Sequence, residues 1–129
     1  MDTLNDAEGL AQSLGAVPRH GASLVWTAFA LERKARMIHT LYGSVHDRAV
    51  ATRLDDLSDR ACAAACQLHT DALSILFILF TLFARRSLLR SAVLFAQTAC
   101  LMREEDPASI PALDPLWRSA AYALSDIFG

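Results

Sequence analysis

Apolar residues recur at intervals of three and four positions over most of this chain, and this spacing predicts helices. No stretch alternates apolar and polar residues with the period of two that a half-buried strand shows. The five glycines and four prolines stand mostly between the periodic stretches. The pattern therefore predicts an all-α protein.

The longest apolar stretch is Ala72–Ala84, with the sequence ALSILFILFTLFA, and Arg85-Arg86 follow it directly. A helix here would be apolar on every side, so it must be wrapped by other helices or lie in lipid. A bilayer crossing needs roughly 20 apolar residues, and this run is shorter than that. We therefore predict that Ala72–Ala84 is the buried central helix of the fold.

Shorter amphipathic helices are predicted around this central helix, about six helices in all. Ser23, Asp47 and Ser87 stand where helices are expected to begin, since short polar side chains cap the first backbone N–H groups. Arg85-Arg86 are expected to form a corner after the central helix. Because the connections are short, we expect a single helical domain over residues 1–129. The predicted helices cover Thr3–Leu14, Ser23–Tyr42, Arg48–Leu68, Ala72–Ala84, Leu88–Met102 and Leu116–Phe128.

Composition adds three expectations. Hydrophobic residues make up 53% of 129 residues, so part of the apolar surface is expected to remain exposed as a groove or an oligomer interface. A net charge of −2 gives no electrostatic reason to expect nucleic acid as a partner. Three cysteines and an acidic start without the features of a signal peptide favour free thiols in a reducing, cytoplasmic compartment, and no membrane anchor is expected.

Residues that could carry chemistry are few, and each has a simpler structural interpretation. Glu32 and His69 occupy places similar to ligands of di-iron bundles, but Cys66 stands where the second motif needs Glu. Cys62 and Cys66 share one helix face and are interpreted as small packing residues. There is no nucleophile elbow and no glycine-rich phosphate loop. We therefore expect no enzymatic activity, no catalytic residue, no metal and no cofactor.

His39 provides an alternative. The segment His39–Ser44, His-Thr-Leu-Tyr-Gly-Ser, resembles the His-x-Leu-Lys-Gly-Ser signature of histidine phosphotransfer bundles, with Tyr42 in place of Lys. A signalling bundle that carries phosphate on His39 is therefore a second hypothesis. A third is a non-enzymatic helical adaptor or chaperone that buries its spare apolar surface in a homodimer.

Three segments together resemble a known family. Ala72–Ala84, the corner at Arg85-Arg86 and Leu88–Met102 would form an apolar helical hairpin. The segment Leu113–Gly129 runs from an acidic-Pro start with a nearby Trp to an Asp-Ile-Phe-Gly finish. This order resembles the Bcl-2 family of apoptosis regulators and its second homology motif, and Leu24–Phe29 falls where the third motif would lie.

The chain departs from the family at the ligand-binding motifs. The Asn-Trp-Gly-Arg motif would fall on Thr70–Leu73, and none of its four residues is retained. In the family that Arg pairs with an Asp of the bound helix, which Leu73 cannot do. Gly-Asp of the third motif is replaced by Ala28-Phe29. Viral members are often this short and divergent, so the chain is most like a viral homologue.

This resemblance implies an anti-apoptotic protein that acts in the cytoplasm of the host cell. It would sequester the amphipathic helix of a pro-apoptotic host protein in a hydrophobic groove, with a homodimer as a further possibility. The groove would lie between the second helix, the third helix and the start of the central helix. Its expected lining is Leu31, Ile38, Tyr42, Ala64, Ala72, Leu73 and Leu76.

Overall fold

A computed structural model describes residues 2–15, 22–42, 45–68 and 75–103 of the chain. Within these ranges the protein forms four α-helices and no strand, which confirms the all-α prediction. The predicted last helix, Leu116–Phe128, lies outside the described residues, so an arrangement of six helices around a central one is not confirmed. The helices are α1 (Asp2–Ser13), α2 (Ala22–Tyr42), α3 (Arg48–Cys66) and α4 (Ile75–Met102).

The start of α3 follows the sequence prediction. The Oδ1 atom of Asp47 accepts hydrogen bonds from the backbone N–H groups of Ala49 and Val50, at 3.0 and 3.2 Å. These bonds satisfy two of the donors that a helix start leaves free. The predicted cap at Ser23 is wrong, because α2 already begins at Ala22 and Ser23 lies in its first turn.

The predicted corner at Arg85-Arg86 is also wrong. α4 runs without a break from Ile75 to Met102, and Ser87, the predicted cap, is a buried residue in its interior. Arginine is a good helix former, and no glycine or proline stands in this stretch. The two arginines end the apolar run without ending the helix, so these residues do not form the hairpin.

Arg85 has a structural partner at the end of α3. Its guanidinium donates a hydrogen bond to the backbone carbonyl of Leu68, just after α3 ends. The last carbonyls of a helix lack partners within the helix, and a cation near them is favourable for the helix dipole. The neighbouring Arg86 is exposed. Both charges are therefore accommodated on a continuous helix.

Cross-helix contacts establish the directions of the helices. Ser58 of α3 donates to the backbone carbonyl of Ala92 in α4 at 2.8 Å, and Arg103 pairs with Asp55, so α3 and α4 are antiparallel. His39 near the end of α2 contacts Thr98 near the end of α4, so these two helices are parallel.

α1 packs on α2 and α3. Lys34 pairs with Asp6 at 3.3 Å, and Arg53 of α3 pairs with Glu8, whose carboxylate raises the pKa of Arg53. The centre of the packed helices is formed by large side chains with almost no exposed surface: Leu4, Leu31, Ile38, Leu54, Leu57, Leu88 and Phe95.

The apolar run in the first half of α4 is not enclosed throughout. Ile75 is 72% exposed and Leu76 52% exposed, whereas most residues from Ser87 onward are buried. Leu88 lies level with the start of α2 and the end of α3. The preceding turns of α4 therefore extend about 20 Å beyond those helix ends, at about 1.5 Å per residue. Thr81, Leu82 and Ala84 are buried, so the predicted run is enclosed in its last turn and exposed at its start, and the enclosed part of α4 continues past Arg86.

Candidate functional site

The described residues of the predicted groove do not share one surface. Leu31 and Ile38 are fully buried in the core, so neither offers surface to a ligand in this structure. Tyr42 is half-buried at the end of α2, and Ala64 is half-buried near the end of α3, at the opposite end of the bundle. Leu76 is exposed at the start of α4, and Ala72 and Leu73 lie outside the described residues.

Within the described parts of the chain, four exposed apolar side chains lie on the outward side of α2, more than on any other helix described. Trp26, Phe29, Met37 and Leu41 are all exposed, with 73% of Trp26 and 57% of Leu41 accessible. We call these four residues the α2 stripe. They lie on the opposite side of the helix from its buried residues, which recur at intervals of four and three: Leu24, Ala28, Leu31, Ala35 and Ile38.

Arg33 lies at the centre of the α2 stripe. It is seven residues after Trp26 and four before Met37, spacings that place all three on one helix face. Arg33 is exposed, and among the described residues it makes no ion pair. The next arginine, Arg36, is bound at 3.0 Å by Glu32. The surface therefore consists of an unpaired cation between two pairs of apolar side chains.

The sequence contained the signal for this surface. Leu24, Ala28, Leu31, Ala35 and Ile38 form one uninterrupted stripe. Residues two positions away from a member of that stripe lie about 200° around the helix, on its other side. Trp26 follows Leu24 by two positions and Arg33 follows Leu31 by two, so this spacing places both on the outward side, a signal that the groove prediction did not use.

A cavity of about 160 Å³ lies where α1 and α3 end and α2 begins. Its volume is similar to that of an engineered apolar cavity that accepts benzene. Gly15 and Gln67 contribute the exposed part of the wall. The remaining lining is apolar: Ala11, Leu14, Leu24, Ala64, Leu68 and Leu88.

The hydrogen bonds around His39 determine which nitrogen of its neutral ring carries the proton. Its Nδ1 atom lies 3.0 Å from Oγ1 of Thr98, and that hydroxyl lies 2.8 Å from the backbone carbonyl of Leu94. A carbonyl cannot donate, so the single hydroxyl proton of Thr98 goes to Leu94. Nδ1 of His39 must then carry a proton and donate it to Thr98. In the neutral ring this leaves the Nε2 lone pair for another partner.

Cys62 of α3 is unsuited to nucleophilic chemistry. Cys62 is half-buried and Cys66 exposed, and neither forms a disulfide. Burial raises the pKa of the Cys62 thiol, and the nearby Cys66 and Asp59 raise it further. A thiol is nucleophilic only as the thiolate, so these surroundings keep Cys62 in its unreactive form.

Other kinds of site find no support in the described ranges. No group of three or more His, Cys, Asp or Glu side chains there could hold a metal ion. Among the helices described, none combines the length and apolar character that a membrane crossing needs. Comparison with protein-family models, with curated proteins and with solved structures found no match to this chain.

Proposed function

We propose that this protein is a non-enzymatic binding module that holds an amphipathic helix of a partner protein against the α2 stripe. The observation that supports this most is the exposure of Trp26, Phe29, Met37 and Leu41 together on one helix face. Contiguous apolar patches on a protein surface commonly mark interaction sites. Tryptophan, phenylalanine and methionine are also enriched where proteins bind one another.

The geometry of the stripe suits a helical partner. Its residues span 15 positions of a straight helix, or about 22 Å. An amphipathic helix repeats its apolar anchors every three or four residues along one face, so a partner helix of similar length can place four of them along the stripe. Burying one such anchor contributes about 1.5–3 kcal/mol. Four anchors, set against the cost of association, are compatible with sub-micromolar binding.

The finer form of the proposal takes its partner from the sequence resemblance. In that form the protein is a Bcl-2-like, viral inhibitor of apoptosis that sequesters the amphipathic helix of a pro-apoptotic host protein. Its support is the order of amphipathic helices and the segment Leu24–Phe29, which includes Trp26 and Phe29 of the α2 stripe. The unbroken α4 removes the support that an apolar hairpin would have given.

Calorimetric titration with a panel of peptides tests both forms. The panel contains pro-apoptotic amphipathic helices and synthetic amphipathic helices of unrelated sequence. Trp26→Ala is expected to weaken binding at least tenfold, because it removes the largest apolar group of the surface. Ile75→Ala is the matched control, since Ile75 is equally exposed but lies on α4.

Each result has a separate meaning. Binding that Trp26→Ala abolishes and Ile75→Ala leaves intact supports the α2 stripe as the docking surface. Equal binding of pro-apoptotic and unrelated helices argues against the finer form alone. If none of the peptides binds the folded protein, the binding-module proposal fails.

A second candidate function is phosphotransfer through His39. The bond from Nδ1 to Thr98 leaves Nε2 as the nitrogen that can accept a phosphoryl group. Tyr42 in place of the signature Lys speaks against it, since no cation is supplied there to favour the phosphoryl group. Acid-labile phosphate that is absent from His39→Gln would support this function over helix binding.

A further inference from the structure

We infer that the partner helix of the α2 stripe carries an acidic residue between its apolar anchors, and that Arg33 pairs with it. This inference rests on the proposed function and specifies the chemistry of the partner. It comes from the position of Arg33 between Trp26 and Phe29 on one side and Met37 and Leu41 on the other.

The charges around the stripe favour an anionic partner. Arg33 makes no ion pair among the described residues, and Arg36 at the edge of the same face is already bound by Glu32. Lys34 points to another side of α2, where it pairs with Asp6 of α1. An apolar partner with no acid would bring Arg33 into the interface without a counter-ion. Leaving a charge buried and unpaired is strongly unfavourable.

The same arrangement disfavours a second copy of this chain as the occupant. In a two-fold dimer, each subunit contributes the same surface patch to the interface. Arg33 lies near the middle of the stripe, so antiparallel packing of two α2 helices would bring the two Arg33 side chains close together. Like charges opposed across an interface select against that pairing. A helix with a carboxylate at its centre meets the same surface without this conflict.

The partner pattern follows from the spacing on α2. Apolar residues of the stripe lie four and seven positions before Arg33 and four and eight positions after it. A matching helix needs apolar residues three or four and seven positions before and after its central Asp or Glu, so that all of them share one face. An acid at the end of such a helix would lie away from Arg33 and would not satisfy the pairing.

The experiment uses two synthetic helical peptides with the same apolar positions, one with a central Asp and one with a central Lys. Wild-type protein is expected to bind the Asp peptide about three- to tenfold more tightly, the range for a partly desolvated surface ion pair. Arg33→Glu is expected to reverse that preference. Arg48→Glu is the matched control, because Arg48 is an exposed arginine on α3 that makes no ion pair among the described residues. The preference for the Asp peptide should be unchanged in this variant.

The outcomes separate this inference from the proposed function. Reversal by Arg33→Glu, with a preference that shrinks in high salt as screening requires, supports the inference. If both peptides bind equally well and Trp26→Ala abolishes both, the docking surface stands and the acidic partner is wrong. If neither peptide binds while the protein forms a stable dimer that Trp26→Ala dissociates, a second copy covers the stripe and both proposals are overturned.

Discussion

The Nδ1 atom of His39 on α2 lies 3.0 Å from the Oγ1 atom of Thr98 on α4. Thr98 is fully buried and its hydroxyl donates to the carbonyl of Leu94, so the contact joins the half-buried His39 to the interior of the bundle. It holds the last turn of α2 against α4, at the end of the bundle opposite the cavity. The tautomer of His39 and the stability of this end are therefore linked.

We expect neutral His39 to carry its proton on Nδ1. In Thr98→Val, Nδ1 loses its acceptor, and the ring is expected to move toward the Nε2-protonated form that predominates in free imidazole side chains. Two-dimensional ¹⁵N spectra of the ring nitrogens distinguish these forms directly. An Nε2-protonated ring in the wild-type protein would contradict the hydrogen-bond assignment.

Thr98→Val is also expected to lower the free energy of unfolding by about 1 kcal/mol, the usual contribution of one hydrogen bond. Thr52→Val is the control, because Thr52 makes the same local bond to the carbonyl four residues back, on an exposed face of α3. Its effect should stay within about 0.5 kcal/mol. Urea denaturation measures both variants, and equal losses would show that the bond to His39 contributes nothing.

The continuity of α4 at Arg86 has a direct test. Arg86→Pro is expected to cost about 3 kcal/mol or more, because proline removes a backbone donor and clashes with the preceding turn. Arg86→Ala should be nearly neutral, since Arg86 is exposed and alanine is an excellent helix former. Circular dichroism and urea denaturation report helix content and stability. A proline variant as stable as the alanine variant would contradict a continuous helix at Arg86 and support the predicted corner.

The assignments of Leu31 to the core and Leu41 to the surface are tested as a pair. Leu31→Ala is expected to destabilise the fold by about 2–5 kcal/mol, since it opens a cavity among fully buried side chains. Leu41→Ala should change stability by less than about 0.5 kcal/mol but weaken peptide binding. Thermal denaturation and titration of the same two samples suffice. A stable Leu31→Ala protein that no longer binds would place the predicted groove back on that side of α2.

Sequence periodicity predicted the first three helices well, and the reasons are local. Gly15 and Gly43 follow the first two periodic stretches in the sequence, and Asp47 caps α3 with bonds to its own first turn, so the limits of these stretches could be predicted from neighbouring residues. These signals need no knowledge of the other helices.

The misplaced features depend on contacts between distant residues. Arg85 lies within an unbroken helix and donates a hydrogen bond to the carbonyl of Leu68, 17 residues away, a partner that no local pattern indicates. Leu31 and Leu41 are the same residue type. The packing of the other helices encloses Leu31 and leaves Leu41 exposed. The prediction that other helices wrap the start of the apolar run also depended on distant contacts, and Ile75 and Leu76 are exposed in the structure.

The raised pKa of Cys62 predicts how stability depends on pH. Burial of the thiol, followed by its interactions with Cys66, raises this pKa above its ordinary value of 9.0 in the folded state. The folded state therefore holds the proton more tightly than the unfolded chain, and the associated stability is fully present below about pH 9. As pH rises above 9.0 toward the folded-state pKa, the unfolded chain ionises first and stability falls.

The difference in unfolding free energy between wild type and Cys62→Ala should be constant from pH 6 to 8 and should then decline toward pH 10. A difference that stays constant through pH 10 would show that the Cys62 thiol has the same pKa in both states. Cys66→Ala removes the interaction with Cys66 but not the burial, so it should reduce the decline without abolishing it.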